Sequence, residues 1–177
     1  MGDLFEYYNT GDDTYTNLYH DGLYAQTFTI GAVGIDRNFN IVSVKLKMFR
    51  SGTPGIVNIS IKATDVDGKP TGNDLSIGTI NADTFTTDTG GAWYEITMSS
   101  LTLLADTKYA IVAKPNSSGS NYTKWRYDSS GEYSGGSLAS AADSVWTLEP
   151  TMDFMFEVWG DLIRTKHYYS QYNYNRY

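Results

Sequence analysis

The chain has 177 residues, 20 acidic and 13 basic side chains, a net charge of −7 and no cysteine. This length suits one domain with a core large enough to need no cross-links, and the lack of Cys excludes disulfides, thiolate nucleophiles and Cys-based zinc sites. The acidic balance argues against nucleic acid as a partner, because phosphate binding needs a basic surface.

The first residues are predicted to form an N-terminal arm rather than a targeting segment. Met1–Tyr8 are acidic and polar, without the basic and apolar regions of a signal peptide. No stretch approaches the roughly 18 apolar residues of a transmembrane helix, so no membrane partner is expected. Six carboxylates against one base, Arg37, occur before residue 41. We therefore assign residues 1–23 to an acidic arm and expect synthesis in a host cytoplasm.

The middle of the chain alternates apolar and polar residues, which is typical of β-strands. In Val42–Met48 the residues Val42, Val44, Leu46 and Met48 share one face, and the same alternation repeats in Val57–Ala63. Strands with one apolar and one polar face indicate antiparallel sheets with one side in water. Further predicted strands are Tyr24–Ile30, Trp93–Met98, Lys108–Lys114, Thr123–Tyr127 and Phe154–Trp159, with two short candidates at Ser76–Ile80 and Ser144–Leu148.

Turn-forming residues separate these strands, at Ser51–Gly55, Asp65–Gly72, Asp88–Gly91 and Gly131–Gly136. In the turn Asp65–Gly72, Asp65 is predicted to cap the backbone while Gly68 takes a positive φ. The alternative is a calcium-binding loop, although the segment lacks the further acidic residues that such a loop requires. Seven to nine short strands predict an all-β, jelly-roll-like antiparallel sandwich over residues 24–160.

The C-terminal tail, residues 161–177, differs in charge and composition. Asp161 opposes three bases, giving +2 and leaving −9 on the other 160 residues, and five of the last ten residues are Tyr. Tyr with a few Arg is typical of interface cores, so the tail predicts an assembly interface, with a disordered terminus as the alternative. The predicted interface residues are Arg164, Tyr168, Tyr169, Tyr172, Tyr174, Arg176 and Tyr177.

The sequence predicts no catalytic residues, no metal site and no cofactor. The only histidines, His20 and His167, lie in the arms, where a Ser-His-Asp triad is not expected. A glycosidase is a distant alternative, since it needs paired carboxylates and the strand residues Glu95 and Glu157 are expected on solvent faces.

Three aromatic residues form a candidate glycan-binding platform. Trp125, Tyr127 and Tyr133 flank a Gly/Ser loop, and a pyranose ring can stack on such side chains. Alternation puts Trp125 and Tyr127 on one face with Arg126 on the other. The alternative interpretation is that this face belongs to the core.

Several segments together carry a family resemblance that covers about residues 4–160. The segments are Ala25–Thr29, Val44–Leu46, Gly52–Gly55, Ile61–Asp65, Gly68–Gly72, Leu104–Val112, Trp125–Ser130 and Asp153–Glu157. They are similar to the β-sandwich group called choice-of-anchor R-type domains, whose relatives occur in surface proteins and in genomes of bacterial and archaeal viruses. The resemblance implies a sandwich that is not an enzyme, and it supplies no catalytic residues to carry over.

The sequence therefore predicts a non-enzymatic virion structural protein, either a capsid decoration protein or a small head or tail fibre component on the virion surface. It is expected to dock through its terminal arms, to associate with itself, with a trimer as the first guess by analogy, and to contact other capsid proteins. The alternatives are a carbohydrate-binding module that recognises glycans and an extracellular filament subunit joined by strand donation.

Overall fold

The structure, a computed structural model, describes residues 2–19, 22–116, 118–142 and 145–163. Within these ranges the chain forms strands and one short 3-10 turn at Ala82–Thr84, and no helix is long and apolar enough to cross a membrane. The strands are β1 (Asp3–Tyr8), β2 (Thr14–Leu18), β3 (Leu23–Thr29), β4 (Phe39–Ser51), β5 (Ile56–Thr64), β6 (Pro70–Asn81), β7 (Ala92–Thr97), β8 (Thr102–Leu103), β9 (Lys108–Lys114), β10 (Tyr122–Asp128), β11 (Leu138–Ala142), β12 (Val145–Glu149), β13 (Asp153–Phe154) and β14 (Phe156–Leu162).

Two antiparallel sheets make up the fold, which confirms the predicted all-β sandwich. The eight-stranded sheet, called sheet A, has the order β1-β14-β4-β10-β13, with β2 beside β10 and with β7 and β8 beside β4. The six-stranded sheet, called sheet B, has the order β12-β11-β3-β9-β5-β6. Strands that follow one another in the chain often lie in different sheets. Most hydrogen-bonded strand pairs therefore join residues that are distant in sequence.

The inner faces of the two sheets bury the main core. Phe28 on β3, Leu46 on β4, Ile61 on β5, Ile111 on β9 and Phe156 on β14 are all fully buried. Each such side chain stabilises the folded state by about 1.5–3 kcal/mol relative to leaving it in water. The alternation predicted for β5 is confirmed, since Val57, Ile59 and Ile61 face inward.

The structure corrects the predicted N-terminal arm. Residues of β1 pair with β14, and those of β2 pair with β10, so both strands belong to sheet A. Phe5 and Leu18 are fully buried. The domain therefore begins near residue 3 rather than 24. The arm prediction is wrong because it counted acidic residues as solvent-exposed, whereas the Glu6 side chain is buried and hydrogen-bonded.

Two irregularities change the predicted strands of sheet A. A register shift between Trp159 and Gly160 leaves Val42 partly exposed and turns its neighbour Ile41 inward. Met155 divides the predicted strand Phe154–Trp159 into β13 and β14. Strand β14 continues to Leu162, which pairs with Phe39, so the sandwich extends past the predicted boundary at residue 160.

The turn between β5 and β6 has the predicted geometry. Asp65 Oδ1 accepts hydrogen bonds from the backbone N–H groups of Asp67 and Lys69, at 3.0 and 2.9 Å. Gly68 has φ of +81°, a conformation that glycine adopts without a steric penalty. The aspartate thus satisfies the turn backbone, as the turn interpretation expects.

Candidate functional site

The predicted glycan platform divides between the core and its edge. Trp125 is fully buried, stacks on Phe154 with ring centroids 4.1 Å apart, and donates its Nε1–H to the backbone oxygen of Met155. Tyr133 is also buried and is hydrogen-bonded to Glu6, while Tyr127 is half-buried with its ring edge against Phe154. This corrects the platform prediction: Trp125 and Tyr133 present no ring face to a sugar, and the core alternative describes them.

A buried carboxylate, Glu6, organises the end of the sandwich next to Tyr133. Its two oxygens accept hydrogen bonds from the backbone N–H groups of Gly31, Val33 and Gly34 at 2.9–3.3 Å and from the Tyr133 hydroxyl at 3.0 Å. Burial raises the pKa of Glu6 above its ordinary value, although these four hydrogen bonds oppose the shift. Glu6 therefore fixes the loop after β3 to the first strand.

Two further carboxylates lie beside this site. Asp153 and Asp128 are direct partners across β10 and β13, and both are buried. Asp153 accepts hydrogen bonds from Gln26 Nε2 at 2.9 Å and from the Tyr133 backbone N–H at 3.1 Å. Burial raises the pKa of Asp153 to about 6, and the charge of Asp128 adds to the shift.

Asp128 accepts a hydrogen bond from the Tyr8 hydroxyl at 2.8 Å and others from Ser130. Burial, followed by this hydrogen bond to the carboxylate, raises the pKa of Tyr8 to about 12. Each carboxylate of this cluster accepts hydrogen bonds from groups of the fold itself and so attaches loops to the strands. Among the described ranges no group of three or more His, Cys, Asp or Glu residues is placed to hold a metal ion.

The outer face of sheet A carries the most unusual surface of the described chain. Residues directly opposite each other in antiparallel strands share a face of the sheet. Two such rows lie on the side of sheet A away from the core. The first crosses β1, β14, β4 and β7 as Tyr7-Glu157-Lys45-Glu95, and the second crosses β14, β4 and β7 as Trp159-Ser43-Thr97. The same side of β2, β4 and β10 carries more aromatic rings. We call this surface the aromatic face; its partly exposed ring residues are Tyr7, Tyr15, Tyr19, Trp93, Tyr122 and Trp159, and the buried ring of Phe49 packs against Tyr15.

Charged side chains hold these rings in place. Lys45 Nζ lies 4.3 Å from the ring centroid of Trp159, whose Nε1–H donates to Glu157 at 2.8 Å. Lys124 Nζ lies 5.1 Å from the ring centroid of Tyr15, and Tyr15 packs edge-on against Phe49. Cation–π contacts of this kind contribute about 0.5–1 kcal/mol at exposed sites, so the rings are positioned before any partner arrives.

Asp12 links two cations of the same face. Its carboxylate contacts Lys47 Nζ at 2.8 Å and Arg126 Nε at 2.6 Å. Burial raises the pKa of Asp12, but the hydrogen bonds and charges of Lys47 and Arg126 outweigh this effect and hold the pKa below its ordinary value. The face thus combines aromatic rings and Arg126, residue types that are enriched at protein interfaces, with lysine and carboxylate side chains, which are depleted there.

The remaining predicted site residues fall in two groups. Glu95 and Glu157 both lie on the aromatic face, on either side of Lys45, where Glu95 accepts a hydrogen bond from Ser43. His20, His167 and the predicted tail interface lie outside the described residues; that interface comprises Arg164, Tyr168, Tyr169, Tyr172, Tyr174, Arg176 and Tyr177.

Sequence reasoning missed Glu6 and the aromatic face as a unit. The available signal for β2 was the strand propensity of Thr14, Tyr15 and Thr16, since the segment does not alternate between apolar and polar residues. No local signal places Trp93 and Trp159 on one surface, since only pairing through β4 brings β7 and β14 together. A scan against models of protein families and a search of curated proteins found no match to this chain.

Proposed function

We propose that this chain is a non-enzymatic structural protein of a virion surface, a capsid decoration protein or a small head or tail fibre component. The resemblance to choice-of-anchor R-type domains supports this function through the viral relatives of that group. An antiparallel sandwich whose buried carboxylates serve its own loops also suits a structural role. The aromatic face is the observation that carries the proposal, because it offers a broad surface for contact with another protein.

The aromatic face has the properties of a docking surface. Tyr15 and Tyr19 are 39% and 48% exposed, although both make ring contacts within the face. Amphipathic rings held by neighbours lose little conformational entropy when they bind, so more of the contact energy stabilises the complex. The alternating charges of Lys45, Glu95 and Glu157 would then select the partner by complementarity.

The C-terminal tail extends this surface in the proposal. Strand β14 carries Trp159 on the aromatic face and ends at Leu162, so the tail leaves the sandwich from the same sheet. Residues 161–177 have a net charge of +2 and the rest of the chain has −9, which favours contact between the tail of one copy and the body of another. Self-association, with a trimer as first guess, and docking on other capsid proteins follow from this arrangement.

The N-terminal segment has no docking role in this proposal. Its two strands complete sheet A of their own sandwich, so it is not available as a free arm. A filament built by donation of this segment would require β1 to break its pairing with β14, and the loss of these hydrogen bonds disfavours that alternative.

Fractionation of particles tests the proposal. Particles released by a host that carries the gene are separated on a density gradient, and each fraction is analysed by mass spectrometry for peptides of this chain. We expect the chain in the particle fraction at a constant ratio to the major capsid protein. A chain found only among soluble proteins would overturn the proposal.

A variant pair links the particle result to the aromatic face. Tyr15→Ser with Tyr19→Ser removes two exposed rings, and Val145→Ser removes an apolar side chain that is 70% exposed on sheet B. We expect the double variant to lose its association with particles while Val145→Ser retains it. Equal retention of both would exclude the aromatic face as the docking surface.

A further inference from the structure

A groove of about 440 Å³ lies on the outer face of sheet B, on the opposite side of the molecule from the aromatic face. It crosses four strands in the order β3, β9, β5 and β6. None of the residues assigned above to a site or interface lines it. The groove is therefore a separate surface, and its chemistry can be considered independently.

The strand register explains the shape of the groove. Ser60 is the direct partner of Val112 on one side and of Ile77 on the other, so these three side chains form one row across the floor. Asn58 joins Lys114 and Thr79 in the next row. Ser60, in the middle of the first row, has a short side chain, whereas Val112 and Ile77 on either side of it are longer. The row therefore forms a trough.

Hydroxyl and amide groups converge on this trough. Thr79 and Asn58 each offer both donors and acceptors, the pattern that complements the hydroxyl groups of a sugar. The Ser60 hydroxyl is hydrogen-bonded to Asp74, and its oxygen can still accept a hydrogen bond. Val112 and Leu23 supply apolar contact beside them. Such a mixture of a few placed polar groups on an apolar floor is usual for small-molecule sites.

The charges in the groove sum to +1 in a chain of net charge −7. Lys62 Nζ lies 3.1 Å from Asp74 Oδ1 and also donates to the backbone oxygen of Gly72, so its charge is used within the fold. Lys114 makes no ion pair within 4 Å in the part of the chain that the structure describes, although its charge also acts on Asp74. Asp74 thus interacts with two lysines, and one positive charge remains in excess for a ligand.

The groove is poorly suited to two other ligand classes. Its lining residues include no aromatic ring on which a nucleobase could stack. Strands β9 and β5 are already paired on both sides, so a peptide could add as a further strand only at the edge of β6. Recognition across the rest of the floor must come from side chains, which suits a ligand rich in hydroxyl groups.

We propose that this groove binds an acidic saccharide, with Lys114 paired to a sugar carboxylate and with Asn58, Ser60 and Thr79 hydrogen-bonded to ring hydroxyls. The site lies on the sheet opposite the aromatic face, so it does not depend on the proposed assembly. It also replaces Trp125 as the place where this sandwich would meet a glycan.

A glycan array tests the proposal on the purified full chain. The array holds hexuronate and sialoside oligosaccharides, each beside its methyl ester, which keeps the ring and removes the charge. We expect binding to acidic glycans that exceeds binding to the esters. If no acidic glycan binds above its own ester, the proposal is overturned.

Calorimetry with the best-bound acidic oligosaccharide then assigns the site. Lys114→Gln is expected to weaken binding by about tenfold, the effect of one charge-assisted hydrogen bond, and to leave binding of the ester unchanged. Lys108→Gln, an exposed lysine on the same strand outside the groove, is the matched control and is expected to bind as the unmodified chain does. Equal affinities for the two variants would place the glycan elsewhere and overturn the proposal.

Discussion

Asp153 lies directly opposite Asp128 across strands β13 and β10, so two buried carboxyl groups face each other with no cation of the described chain bonded to either. Gln26 and the Tyr133 backbone N–H hold Asp153, and Tyr8 and Ser130 hold Asp128. Burial disfavours the charged form of a carboxyl group, and a nearby like charge adds to this effect. Asp153 therefore makes the stability of the fold depend on pH in an unusual direction.

Protonation of Asp153 should stabilise the folded chain, and this contribution should be lost as the pH rises from about 4 to about 6. The Asp153 pKa rises from 3.8 to about 6 on folding, so this residue binds more protons in the folded than in the unfolded chain within the interval. The full shift corresponds to about 3 kcal/mol. Urea unfolding of the unmodified chain and of Asp153→Asn at a series of pH values isolates the contribution, because carboxylates whose pKa is lowered, such as Asp12, act in the opposite direction in both. Relative to Asp153→Asn, the free energy of unfolding of the unmodified chain should fall through this interval, and a difference that stays constant or grows would contradict the assignment.

Glu6→Ala should destabilise the fold far more than Tyr133→Phe. The first change leaves three backbone N–H groups and one hydroxyl without their acceptor, and each unsatisfied buried group costs about 1–3 kcal/mol. The second removes two hydrogen bonds, the one that Tyr133 donates to Glu6 and the one that it accepts from the Thr29 backbone N–H, at about 1 kcal/mol each. Urea midpoints of the two variants provide the comparison. Similar losses would mean that the loop after β3 does not depend on Glu6.

Trp125→Ala should lower the free energy of unfolding by about 3–5 kcal/mol, the usual cost of removing a large aromatic side chain from a core. The indole loses its stacking on Phe154 and its hydrogen bond to Met155. Trp125→Phe retains a ring and should cost less. Thermal unfolding followed by circular dichroism checks both variants, and an unchanged midpoint for Trp125→Ala would favour the surface platform over the core.

Asp12→Ala should cost about 1–3 kcal/mol, because it leaves Lys47 and Arg126 without their shared partner in a largely buried setting. The matched control is Asp74→Ala, which breaks the half-exposed pair with Lys62 and should cost at most about 1 kcal/mol. Chemical unfolding at low and high salt measures both. A larger loss for Asp74→Ala would reverse this ranking.

The central strands of the sandwich were predictable because their alternation is local. Strand β9 has the predicted bounds, Lys108–Lys114, and β5 and β10 differ from the predictions by one residue at each end. Strand β11 escaped prediction because its Ala and Ser residues have weak strand propensity. Strand β1 escaped because a register shift between Leu4 and Glu6 breaks its alternation, which turns both Phe5 and Glu6 inward.

The candidate surfaces were less predictable than the strands. The spacing of Trp125 and Tyr127 correctly places both on one side of β10, but Phe154, which covers them, is 27 residues further along the chain from Tyr127. The groove on sheet B similarly depends on pairing between β9, β5 and β6. Periodicity gives the face of a residue within its strand, whereas only strand order decides whether that face meets the core or the solvent.

Removal of the tail should abolish self-association. The chain should be truncated after Ile163, since Leu162 still pairs with Phe39 in sheet A. A full-length variant with the five tail Tyr residues changed to Ser retains the charge of the tail and separates the contribution of the rings. Light scattering gives the mass, and we expect both variants to have the mass of a single chain. An unchanged assembly after truncation would exclude the tail as the interface.

The central claim, a structural role on a virion surface, is tested most directly by immunogold electron microscopy of intact particles from a host that carries the gene. An antibody against the purified chain is applied before and after the particles are opened. The account predicts regular labelling on the outside of intact particles. Intact particles without label, or label that appears only after they are opened, would contradict it.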